Sequence, residues 1–187
     1  MFYEEIITFL TSKGLSEVVS QGLATLIIIA SISLVVIVIN FITKKIILSF
    51  FKRIAKSTSS SFDDLLIKNK VPGLLSYIPS LFFLFWIIPT YSNTLYLLIE
   101  AFTVILFILT VRAILNTVKD YFKSSDSLKH IPVDSYIQVI MIFIWFVGII
   151  LILSILTGRE VGTFLASLGA LSAIIILVFR DTILGFV

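Results

Sequence analysis

Charge is missing from five long apolar runs of the chain, residues 22–43, 72–91, 94–111, 136–157 and 162–179, with Glu100 the sole exception inside any of them. Each run is long enough, or nearly so, for the roughly 17–25 helical residues that a hydrocarbon core of about 30 Å demands. None shows the strict two-residue alternation of a half-buried strand. The pattern predicts an all-α protein, an integral membrane bundle of five transmembrane helices.

The polar segments between the runs set a direction. Residues 44–70 carry Lys44, Lys45, Lys52, Arg53, Lys56, Lys68 and Lys70, and residues 112–130 carry Arg112, Lys119, Lys123 and Lys129. With Arg180, twelve of the fourteen Lys and Arg lie on one side, leaving only Lys13 and Arg159 on the other. The positive-inside rule places the first side in the cytoplasm, with the N-terminus outside and the C-terminus inside, and an odd number of crossings agrees. Residues 1–21 have Glu4 and Glu5 where a signal peptide carries positive charge, so they read as a short external interfacial helix. The first span is expected to continue into the basic segment as far as the serine-rich stretch 57–61. There Ser61-Phe62-Asp63-Asp64 resembles a capping box and opens a short helix carrying Leu65, Leu66 and Ile67.

Composition narrows the function classes. At 59% hydrophobic and 13% charged residues, with a mean hydropathy of +1.15, the chain departs from soluble domains, whose apolar share is about 45–50%. The sequence pI near 9.2 points away from nucleic acid once the basic residues are seen to lie in loops between spans, where they meet membrane lipids instead. There is no cysteine and a single histidine, His130, which leaves no thiolate chemistry and little for imidazole. Asp63, Asp64, Asp120, Asp126, His130 and Asp134 lack metal-ligand spacing, and no phosphate loop, HExxH or GxSxG occurs. No enzymatic activity, metal or cofactor is expected.

Two features within the runs stand out. Pro72, Pro79 and Pro89 punctuate the second run and predict a kinked helix. Glu100 is the ionisable group at depth, the type of residue that marks proton or ion pathways, or else a structural carboxyl kept by hydrogen bonds. The last run adds a third. Gly162, Ala166 and Ala170 recur every fourth position, and Gly169 with Ala173 forms a second pair, so backbones can approach closely along that helix. Arg180-Asp181 ends the uncharged run, and Thr182-Ile183-Leu184-Gly185-Phe186-Val187 is apolar again, as in a helix that leaves the bilayer, bends and follows its surface.

The stretch from Leu165 to Val187, with Leu168-Gly169-Ala170 and Arg180-Asp181 at its two ends, resembles the pore helix of the small-conductance mechanosensitive channel family, closest to its miniconductance branch. Ser61-Phe62-Asp63-Asp64-Leu65-Leu66 and Ile131-Pro132-Val133-Asp134-Ser135-Tyr136-Ile137-Gln138 are similar to upstream segments of that branch. The resemblance covers roughly residues 45–187. It implies a homo-oligomer, a heptamer, in a bacterial inner membrane, opened by tension on hypo-osmotic shock to release ions and small solutes. The implied division is an external segment at 1–21, a four-span sensor at 22–161 and a pore helix at 162–187, with a β-rich cytoplasmic domain after 187. Gly162, Ala166, Gly169, Ala170, Ala173 and Leu177 fall on pore-lining or gate positions, and Arg180, Asp181 and Gly185 on the pore exit and bend. Two departures are visible. The two bulky constriction residues of the archetype fall on Ala173 and Leu177, of which only Leu177 is bulky, and its bend glycine falls on Asp181, with Gly185 four positions later. Beside a tension-gated channel, the residues leave open a secondary transporter centred on Glu100 and a non-catalytic membrane scaffold.

Overall fold

A computed structural model describes residues 2–57, 61–124 and 131–185, and within them the chain is entirely helical. The order is α1 (Phe2–Ser12), α2 (Glu17–Ser57), α3 (Ser61–Lys68), α4 (Val71–Leu75), α5 (Ile78–Ile87), a 3₁₀ turn (Ile88–Thr90), α6 (Asn93–Ser124), α7 (Val133–Thr157) and α8 (Val161–Leu184). Five stretches are long and apolar enough to cross a membrane: Glu17–Lys56, Val71–Thr90, Asn93–Ser124, Val133–Thr157 and Val161–Arg180. They coincide with the five runs of the sequence.

Boundaries follow local chemistry. The short helix anticipated at the N-terminus is α1, which closes at Gly14, whose φ of +91° is readily reached only without a side chain. α2 is one helix of 41 residues, about 60 Å at 1.5 Å per residue, so it runs well beyond an apolar layer of about 30 Å and carries the basic residues 44–56 on its extension. The second run is broken rather than merely kinked. Pro79 has no N–H for the Leu75 carbonyl, and the helix parts at Ser76-Tyr77 into α4 and α5. Pro89 then sits in the 3₁₀ turn. Ser92 starts α6 cleanly, its hydroxyl accepting the Leu95 N–H at 3.3 Å as an N-cap.

The most extensive packing joins α6 and α7. Gly148 of α7 is the reason it is close. A Cβ there would collide with Cδ1 of Ile108, and Ile108 is 1% exposed. Val104 of α6 lies beside the same point, and Ile137 of α7, on the same face of the helix as Gly148, is buried. On the opposite side of α6, Leu106 lines a pocket with α5, and the Thr117 hydroxyl reaches the Leu65 carbonyl of α3. Elsewhere the protein is turned inside out. Phe41, Phe82, Trp86, Phe107 and Phe143 are among many large apolar side chains that stand exposed, far beyond the patches that water tolerates on a monomer. The arrangement is that of a multi-pass membrane protein.

The helix ends sort the loops into two groups. At one end the start of α1 and the α5–α6 turn line a common groove. At the other, Asp120 meets Lys68 and Asn69, and Asp134 meets Lys119 and Lys123.

Candidate functional site

α8 leaves α7 through a tight reversal. Gly158 caps α7 in the left-handed conformation, with φ +66°, the Ser154 hydroxyl donates to the Arg159 carbonyl at 2.5 Å, and the Thr163 N–H bonds back to the Glu160 carbonyl at 3.0 Å. From there α8 is a continuous helix through Arg180-Asp181 to Leu184, and Gly185 lies in the turn that follows. The hydroxyls of Ser167 and Ser172 donate to carbonyls one turn back, at 2.8 Å each, so neither hydroxyl is left unpaired in an apolar setting.

At about 100° per residue, Gly162, Ala166, Gly169, Ala170, Ala173 and Leu177 fall within an arc of about 100°, so the two small-residue registers are one face. Arg180 continues that face at its lower end. The half-buried residues of α8 are Val161 and Phe164, which lie roughly opposite the stripe. α7 is the substantial neighbour of α8. Past Phe164 the described residues of α8 are exposed on every side, the small-residue face among them. Nothing comes within 4 Å of a Cβ built on Gly162 or Gly169, and Leu177 is 67% exposed. No described residue of α8 is buried. A face with so little bulk, left uncovered, is available to a second backbone or to water.

Glu100 stands apart from this face. It lies two turns below the start of α6, half-buried, with Tyr96 one turn earlier on the same side of the helix. The Tyr96 ring is held edge-on by Phe85 of α5, with centroids 5.8 Å apart. α6 and α8 share no substantial contact, so the carboxyl and the stripe belong to different surfaces. Among the described residues no three of His, Asp and Glu converge as a metal-binding group.

Two polar ties were not among the candidates from sequence. Ser76, at the break of the second span, is fully buried and its hydroxyl lies 3.1 Å from the Asn40 carboxamide oxygen of α2. At the basic end, the Asp120 carboxylate accepts from Lys68 Nζ and Asn69 Nδ2, both at 3.3 Å, and Asp134 pairs with Lys123 at 2.6 Å and Lys119 at 3.6 Å. α6 is thereby clamped to α3 on one flank and to the start of α7 on the other. A lone amide inside an apolar run is the signal that marks Asn40. The clamp joins residues 52 positions apart and has no local signature.

Comparison of the chain with protein-family models, with curated proteins and with solved structures finds no match.

Proposed function

We propose that the chain is one subunit of a tension-gated ion channel of a bacterial inner membrane, a homo-oligomer, heptameric by its resemblance, in which α8 lines the pore and the four preceding spans face lipid as the sensor. The observation that carries this reading is the uncovered small-residue face. Gly162, Ala166, Gly169, Ala170 and Ala173 form one side of α8, and no group of the same chain fills it. A face of this kind is satisfied when copies of α8 gather around an axis.

In that assembly the N-terminus is external and the C-terminus cytoplasmic, so the basic segments 44–70 and 112–130 meet anionic headgroups. Leu177, one turn before Arg180, forms the apolar ring that closes the pore. A narrow ring of leucines excludes water, ions meet a dry barrier, and slight widening rewets it. Tension favours the state of larger membrane area by its differential effect on the two states. Recording from membrane patches under suction tests the reading. Stepwise currents that appear with tension and vanish without it are expected, and a protein that stays silent up to patch rupture is not this channel.

A further inference from the structure

A groove of about 730 Å³ opens between α1, the outer half of α2, the α5–α6 turn and the start of α6. Along α2 it reaches from Thr25 to Ser33, about 12 Å at 1.5 Å per residue, and along α6 from Ser92 to Ile99, about 10 Å. Both lengths approach the depth of one leaflet of a core about 30 Å thick. The lining is graded. Glu4, Thr25, Thr90, Tyr91 and Ser92 stand at the mouth, and Ile28, Ile32, Leu84, Ile88 and Ile99 form the wall below, with Ser33 the one polar side chain at the base. Tyr3 joins the two sides of the mouth, its hydroxyl 3.4 Å from Thr25 Oγ1. The groove is open sideways, since Ile29 and Leu95 line it and are themselves 48% and 40% exposed.

We infer that this groove holds a single phospholipid bearing a primary amine, its acyl chain along Ile28, Ile32 and Ile88 and its ammonium against Glu4. A polar mouth above an apolar slot one leaflet deep matches the amphipathic profile of a lipid, and the lateral opening lets an acyl chain enter from the bilayer. The headgroup follows from charge. Glu4 is the one fully charged side chain among the described residues of the lining, and no Lys, Arg or His faces it there. An ammonium is attracted to that mouth and an anionic headgroup is repelled. The site is separate from α8 and does not depend on channel activity.

The test is lipid retention. The full chain is exchanged into nanodiscs of equal parts phosphatidylethanolamine and phosphatidylglycerol, extracted in mild detergent, washed, and its residual lipid weighed by mass spectrometry. Retained phosphatidylethanolamine should exceed phosphatidylglycerol several-fold. Glu4→Gln should remove that preference while keeping bound lipid, and Ile29→Trp, which fills the slot, should remove the bound lipid. Leu34→Trp, on the same helix but outside the groove and 66% exposed, should retain it like the parent. Equal retention of the two lipids by the parent, a preference that survives Glu4→Gln, or the same retention in Ile29→Trp as in Leu34→Trp each overturns the inference. Circular dichroism and gel filtration establish that each variant is folded. If Ile29→Trp does not fold, Thr25→Trp at the mouth takes its place under the same criteria.

Discussion

Glycine serves opposite ends in α7 and α8. In α7, Gly148 is consumed inside the chain, where the end of Ile108 occupies the space a side chain would take. In α8, Gly162 and Gly169 meet nothing within the chain at all. Both are glycines in uncharged apolar helices, and from sequence they look alike. The difference teaches that a small residue in a membrane helix marks a close approach of backbones without saying whose backbone approaches. The α6–α7 seam is a finished contact, whereas the α8 stripe is an unfilled one.

Substitutions that add bulk at the two places separate these roles. The largest effect is expected at the seam. Gly148→Val pushes against Ile108, which is almost wholly buried and has no free direction to move, and overpacking of this kind costs typically about 1–3 kcal/mol. Thermal unfolding in detergent should show the loss. Ile108→Val deletes Cδ1, the atom that a Cβ at Gly148 would strike, so Gly148→Ala combined with Ile108→Val should be more stable than the two single effects add up to. Strict additivity would mean that the seam is looser than its geometry.

On α8 the same kind of change should spare the protomer and strike assembly. Ala170→Leu is expected to leave the unfolding transition within about 0.5 kcal/mol, as exposed sites do, while cross-linked oligomer falls several-fold. Normal oligomers in this variant would place the stripe against lipid. Leu177→Ser is expected to hydrate the apolar ring, lower the opening tension and make cells leaky, whereas Leu177→Phe should not. An unchanged threshold in Leu177→Ser would move the constriction to another residue, with Phe179 and Leu184 next in line.

The smallest effect belongs to the polar clamp at the basic end. Asp120→Ala removes the acceptor shared by Lys68 and Asn69, but the lysine is 69% exposed and such pairs contribute about 0–1 kcal/mol. A loss above about 2 kcal/mol by thermal unfolding would show that α3 depends on Asp120 far more than surface pairing allows.

The five spans were legible because an uncharged run of membrane length has few other outcomes, and the all-helical architecture followed from the same runs. Their ends were less so. The continuation of the first span to the serine-rich stretch is as the sequence predicts, α2 ending at Ser57, but α6 also runs on past Val111 to Ser124, since Lys and Arg are good helix formers and charge does not stop a helix. Proline in the second run predicts a kink, and the structure goes further, parting the helix at Ser76-Tyr77 into α4 and α5, where the Ser76 hydroxyl bonds to Asn40 of another span, a tie that the run itself does not show. The small residues of the stripe are visible in the sequence, but that the chain leaves them uncovered is not, because it depends on how little of α8 past Phe164 packs against the other helices. The ties of Asp120 and Asp134 to other helices are long-range and carry no spacing rule. The serine-rich stretch 58–60, Asp126, Lys129 and His130 lie outside the described residues, as do the side chains of Ser61 and Asp181, so the capping box and the acidic half of the pore-exit pair stand as sequence readings.

The most direct test of α8 as a pore helix uses the absence of cysteine from the chain, which makes a single introduced thiol addressable. Ala173→Cys places it on the stripe, and Leu171→Cys places it roughly opposite on the same helix. Patches held open by suction are exposed to a charged, membrane-impermeant thiol reagent while current is recorded. If α8 lines the pore with its small-residue face, the reagent cuts the current through Ala173→Cys and leaves that through Leu171→Cys and the cysteine-free parent unchanged. Equal modification of both positions, or of Leu171→Cys alone, would contradict a pore lined by this face.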